Sequence, residues 1–433
     1  MIKCLGLLAC ALACGFTQDT GPQAVRFPIG TTSGPAGAEI TLTLVHRFQQ
    51  YNWNPKDPHD ILDNSIHSPK SVRFSEDGRK MYVQSLEGNS TSVYTTGIWK
   101  RIKVIRHQFG PAQAALFGGE TTVFDYTYRN RSSNQNVFTG KPVEACLSHN
   151  GRYLWVTYYR RNYDPNAESP SAVAIIDTQA DSIVRVMPTG PLPKMIASSP
   201  DNHWVAVTHW GDNTVGLIDI SSDDFREFRY VKHFVVDYRA KLDFDSGVKV
   251  DRDQNCGFCL RGTVFTPDSR YLLVGRMGGG GIAVFDVPAQ QALGTMNGMA
   301  NNVRHLVQRN GELYLGCNNA GVVQKTALSA FLSARLAAPG KPGTFTDWRS
   351  VHVGTGVRTI EVTRDGRYIF ACVNNKSKVA VVRSADMKVV AEVGADSFPV
   401  GMALSPDERF LAVTAQGRDS GGGNSVMVYS ISY

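Results

Sequence analysis

Two thiols three residues apart, in Cys256-Gly257-Phe258-Cys259, form the tightest chemical motif in the sequence. That spacing suits a loop disulfide, a redox-active pair or half of a metal site. No histidine follows Cys259, which excludes c-type haem attachment, and no second C-x-x-C completes a zinc site. A strand-like run follows Cys259, where a thioredoxin-type pair would want a helix start. A disulfide is the expectation for an exported chain, with a redox pair as the alternative. Cys146, Cys317 and Cys372 sit inside apolar runs and read as buried small hydrophobes.

A second set of reactive groups is basic. Lys70, Lys194, Arg261, Arg304 and Arg358 occupy one equivalent place in a series of repeated segments, Arg304 with a one-residue offset; Val143 and Val400 fill the same place in the other two. If the repeats close into a ring, these cations converge at one mouth of its channel. Converging cations make an anion site, and the guanidinium fork suits carboxylate or phosphate. The alternative is that they neutralise nearby carboxylates or face water. Arg276, Arg160 and Arg161 fall in loops assigned to the same face. So does His209, followed by Trp210-Gly211-Asp212, which reads as a ligand contact or acid–base group, or else as a polar cap on its strand. His305 neighbours Arg304, and His149 belongs to the opposite face. The H-E-x-x-H, G-x-S-x-G and P-loop patterns are missing, so no metal and no cofactor is expected.

The elements that must position these groups recur seven times. Residues 399–429 show the unit: an apolar run 400–405, the tight turn Pro406-Asp407-Glu408, a second run 409–415, a Gly-rich loop, and a third run 425–429. Copies begin near residues 69, 142, 193, 260, 302 and 357. Their turns carry Asp or Asn with Gly or Pro, residues that bond their own backbone or preset φ. Third runs often end in aspartate (Asp177, Asp219, Asp286), and fourth runs follow at 183–187 and 388–393. Four strands in each of seven units predict an all-β, seven-bladed β-propeller. The seventh unit ends at Tyr433 after its third strand, and residues 39–48 form a strand with no unit of its own. Pairing the two closes the ring and hides both edges.

The units resemble the YVTN/YncE-like propeller repeats. The match is carried by Gly190–Asp219, G-P-L-P-K-M-I-A-S-S-P-D-N-H-W-V-A-V-T-H-W-G-D-N-T-V-G-L-I-D, and the resemblance covers about residues 40–433. WD40 repeats share the architecture, but their G-H…W-D pair is absent. The resemblance implies a propeller fold and a binding or scaffold role in the bacterial envelope. Related-looking propellers also include lactonases, lyases, quinoproteins and haem-d1 proteins, which keeps an enzyme as the alternative; His209 with Asp212 is its candidate pair.

Met1-Ile2-Lys3 and the short apolar run 4–15 read as a signal peptide, too brief to span a bilayer. Cys14 follows Ala-Leu-Ala and is the candidate for lipidation, which would make this end the chain's only membrane contact. Residues 15–38, rich in Gly, Pro and Thr, read as a flexible tether. The domain proper is 39–433, with insertions at 108–139 and 234–259 and a short helix expected at 328–336. The net charge of +7 is scattered, without a basic stripe, so nucleic acid is not an expected partner. A small anionic ligand, a glycan or an envelope protein is. Most long loops fall on the face that carries the cations, and elaborated loops on a rigid scaffold usually carry function.

Overall fold

The computed structural model describes residues 25–35, 37–50, 53–129, 134–240, 249–417 and 422–433. The expected signal peptide and Cys14 lie outside them. Among the described residues, the strands form seven sheets of four or five strands each. Blade 1 is built from Pro69–Phe74, Lys80–Ser85, Ser90–Thr95 and Lys100–Arg106. Later blades start at the innermost strands Phe138–Ser148, Pro193–Ser198, Leu260–Phe265, Val303–Arg309, Val357–Val362 and Pro399–Leu404. The innermost strands pack around the axis of a seven-bladed β-propeller. Strand β1 (Thr41–Gln49) supplies the outer strand of the seventh blade. It runs antiparallel to Ser425–Ser432, from Thr41 opposite Ser432 to Gln49 opposite Ser425, and β2 (Asp60–Leu62) adds in parallel outside it.

The repeated turn has a simple physical cause. The hydroxyl of Ser75, Ser199, Thr266, Thr363 or Ser405 donates to the aspartate two residues on, at 2.5–2.7 Å. The same aspartate accepts the backbone N–H two residues further along, as Asp77 does from Arg79 at 3.0 Å. The hydroxyl also accepts from the start of the next strand, as Ser75 does from Lys80 N at 2.9 Å. Side chains thus pair turn groups that the sheet leaves orphaned. Apolar residues on both faces of each blade pack against the neighbouring blades, as Leu42, Leu44 and Met427 do against Phe370 and Val381 across the sixth–seventh blade boundary.

Two expectations need adjustment. The 15–38 segment is not a free tether over its second half. Val25 N donates to Ser397 Oγ at 2.5 Å, Gly30 N to Leu44 O at 2.8 Å, and Ser33 N to Leu42 O at 2.9 Å, so this stretch lies against β1 and the seventh blade. The second insertion starts later than residue 234, because the outer strand of blade 3 continues through Arg229–Val235. Helix α1 (Leu328–Leu336) spans the expected residues, between the third and outermost strands of blade 5.

Closure is fastened by a buried ion pair. Arg47, on β1, places Nε 2.9 Å from Asp396, and Asp396 also accepts from Ser425 Oγ at 2.7 Å and Phe27 N at 3.2 Å. Both Arg47 and Asp396 are fully buried. Deleting one partner of such a pair leaves an uncompensated buried charge, at a cost of about 3–5 kcal/mol. Arg47→Ala should therefore lower urea-unfolding stability by about that amount, and Arg47→Met with Asp396→Leu by clearly less. Equal losses in both would mean that the charges are not coupled.

Candidate functional site

The sequence-equivalent cations begin the innermost strands, and a local feature aims each of them. Lys70, Lys194, Arg261, Arg304 and Arg358 are each the second residue of their strand, so Arg304 needs no offset. In every blade the pairing with the second strand slips at this place: between Pro69 and Val72, Pro142 and Ala145, Pro193 and Met195, Leu260 and Thr263, Val303 and His305, Val357 and Ile360, and Pro399 and Gly401. Such a slip frees a residue from the ladder and re-aims its side chain. In six of the seven blades the side chain at this place, Lys70, Val143, Lys194, Arg261, Arg304 or Arg358, lines the channel mouth.

The five cations line one cavity of about 450 Å³, with Val143 and Arg160. The wall also includes Tyr159, Trp210, Gln254 and the carboxylates of Glu87 and Asp253. Carboxylates meet these cations directly as ion pairs at Lys194, which bonds to Asp253, and at Arg261, whose Nη2 lies 2.5 Å from Glu144 Oε1. Lys70 and Arg304 meet neutral groups among the described residues: Lys70 Nζ donates to Gln416 Oε1 at 2.9 Å, and Arg304 Nη1 lies 3.2 Å from the Met277 sulfur. Arg358 stacks over the Phe398 ring at 4.9 Å.

The crowding has electrostatic consequences. Burial, then the charges of Arg358, Arg261, Arg304 and Lys194, hold the Lys70 ammonium well below its ordinary range. Burial lowers Lys194 to about 7, although Asp253 pulls the other way. Arg304 is pushed down by burial and by its guanidinium neighbours Arg358 and Arg261. The Lys194 ammonium also sits 3.9 Å from the Trp210 ring centre and 5.0 Å from that of Tyr159.

Other sequence-selected residues sit elsewhere. His209 does not reach the mouth. It is fully buried, and its two ring nitrogens bond to Thr189 and Thr214 hydroxyls, each at 2.8 Å. Burial drives its basicity well below the usual range. Asp212 is equally buried and accepts from Tyr126 at 2.7 Å and Thr214 at 2.6 Å. Arg276 is outside the cavity lining, 3.2 Å from Asp237 and stacked 3.7 Å over Phe258. Arg161 is buried, stacked over Phe138 and bonded to Tyr128 and Ser171. His305 is buried too, its Nδ1 3.4 Å from Ile360 N. Cys256 and Cys259 are bonded to each other, and Cys256 packs with Ala167, Leu192 and Trp210 behind the cavity wall. Cys146, Cys317 and Cys372 are free and buried.

Sequence reading missed Glu144, Asp253, Tyr159, Trp210 and Gln416 as parts of this site. Glu144 could have been found one place after Val143 in the same alignment; Tyr159 lies on the strand Tyr153–Arg161, Trp210 and Gln416 directly follow second strands, and Asp253 comes from a long insertion.

No protein-family model matches the chain, and no curated protein matches it in sequence. Solved structures are similar in fold. The β-propeller domain of Myceliophteria thermophila Cps50 (Swd1) is 13% identical with a TM-score of 0.56, the match covering 84% of this chain and 97% of that one. Kuenenia stuttgartiensis hydrazine synthase is also 13% identical with a TM-score of 0.56, over 88% and 99% of the two chains. This likeness is one of architecture, and it defines the chain as a seven-bladed β-propeller.

The perturbed lysine can be checked directly. With lysines labelled by reductive ¹³C-methylation, one resonance, absent from Lys194→Arg, should titrate near pH 7. Asp253→Asn should lower that value further, because the carboxylate favours the ammonium. A Lys194 that titrates near 10 would contradict the crowded-cation description.

Proposed function

We propose that this chain is an exported cell-envelope binding module of the YVTN/YncE-like type, and that the channel mouth recognises a small anionic ligand. The observation that carries the reading is the convergence of five cations on one cavity, where Lys70 and Arg304 contact the neutral groups of Gln416 and Met277. Burial first, and the neighbouring cations second, depress Lys70 and Lys194, and a bound anion would offset both by favouring the ammonium forms. Arginine forks favour carboxylate, phosphate or sulfate groups. The signal-like N-terminus supports export, and Cys14 offers a lipid anchor. A binding role is favoured over catalysis because His209 and Asp212, the pair behind the enzyme alternative, are both committed to buried hydrogen bonds.

The test is a thermal-shift screen at low and moderate salt with phosphate, citrate, sugar acids, sulfated glycans and nucleotides. A ligand that binds only the native state stabilises it by mass action, by about 2.7 kcal/mol at one hundred times its Kd. At least one anion should raise the wild-type Tm by a few degrees, and the rise should vanish in Arg261→Ala/Arg358→Ala. No shift from any anion in a well-folded protein would remove the proposal.

Binding should also be linked to protons. Lys194 loses its charge as pH rises through about 7 in the free protein, and a bound anion raises that value. Affinity should therefore fall between about pH 6.5 and 8.5, with net proton uptake on binding in that window. Titration calorimetry in buffers of different ionisation enthalpy checks both sign and window.

A further inference from the structure

A pair of histidines lies away from the channel, on the outer side of the closing strand. His46 belongs to β1, immediately after the irregularity that shifts its register between Leu44 and His46. His59 precedes β2, and its carbonyl accepts Arg47 N at 2.9 Å while its own N–H donates to Asp57 Oδ1 at 2.9 Å. These bonds hold the backbone of His59 beside that of β1, next to His46. The His46 ring also packs 5.6 Å from the indole of Trp99.

The two Nδ1 atoms are 3.2 Å apart and the ring centres 4.7 Å apart, with the ring planes inclined by 73°. A proton shared in line between the rings would hold their centres at about 5.5 Å. Two imidazoles converging on one ion at about 2.05 Å, at a near-tetrahedral angle of about 100°, would have centres about 5 Å apart. The observed spacing is nearer the converging arrangement. The neighbouring charge of Asp57 favours a cation between the rings. Imidazole donors select zinc, copper and nickel over calcium or magnesium.

We propose that His46 and His59 bind a divalent transition-metal ion of the Zn²⁺ or Cu²⁺ class through their Nδ1 atoms, as adjacent ligands. Water fills the remaining positions, since among the described residues no third His, Cys, Asp or Glu completes a cluster. This departs from the sequence expectation of no metal. The ion would staple the β1–β2 connection, one strand removed from the ring closure, and exposes a face that a further ligand can occupy.

The experiment uses the tag-free mature chain with CuCl₂ and ZnCl₂ as probes. One equivalent of Cu²⁺ should give an electron paramagnetic resonance spectrum with nitrogen hyperfine splitting from two imidazoles. His59→Ala and His46→Gln should each lose one of them. Zn²⁺ calorimetry should show one site with a micromolar Kd, weakened at least tenfold in His59→Ala. His59 is exposed, so its replacement leaves the packing intact, and equal melting temperatures of wild type and variant in EDTA verify this. A one-nitrogen spectrum in wild type, equal Zn²⁺ affinity in His59→Ala, or no binding at 1 mM metal would each overturn the proposal.

Discussion

Ring closure is the constraint on which everything else depends. Each blade is apolar on both faces, so an open arc would expose two sheet faces and two strand edges. The chain avoids this by giving its last blade an outer strand from its own N-terminal region, Thr41–Gln49 against Ser425–Ser432. Hydrophobic packing drives the approach, and the buried Arg47–Asp396 pair with Ser425 and Phe27 sets which groups meet. An ion pair in that position is weak as a source of net stability, yet it penalises mispaired closure, where either charge would be buried alone.

Closure fixes seven innermost strands around one axis, and a single irregularity repeated in each then determines what the channel mouth presents. The register slip beside Lys70, Val143, Lys194, Arg261, Arg304 and Arg358 directs those side chains to the channel mouth. With valine in every blade this would be an apolar plug. With lysine or arginine in five, it becomes a cavity where like charges are held closer than water would allow. Burial, with the neighbouring cations adding to it, lowers the basicity of Lys70 and Lys194 there. Strain of this electrostatic kind, kept on a rigid scaffold, is characteristic of sites prepared for a ligand of opposite charge.

How far this was legible in the sequence follows from where the signal lies. The fold was legible because five of the seven blades repeat one local chemistry, hydroxyl, aspartate and a tight turn, at Ser75, Ser199, Thr266, Thr363 and Ser405, and the other two keep an Asn-Gly turn. The closing strand was legible as a strand without a unit. The five cations could be aligned because they occupy an equivalent place in those repeats. His209 and Arg276 were misjudged because loop-face position says nothing about orientation: one turns into the packing between Thr189 and Thr214, the other toward Asp237. Asp253 was missed as a site residue because insertions follow no repeat, and Trp210 because its place just after a second strand does not say which way its ring turns. The docked stretch from Val25 was hidden by composition alone, since Gly, Pro and Thr suit an extended strap as well as a free tether.

The most direct measurement is an anomalous-scattering experiment on crystals of the protein soaked in selenate, an anion locatable without assumptions about its binding site. The account expects a selenium peak within the cavity bounded by Lys70, Arg304 and Arg358, within hydrogen-bonding distance of their nitrogens, and its loss in crystals of Arg261→Ala/Arg358→Ala. Selenate peaks confined to surface lysines or lattice contacts, with the mouth empty, would contradict it.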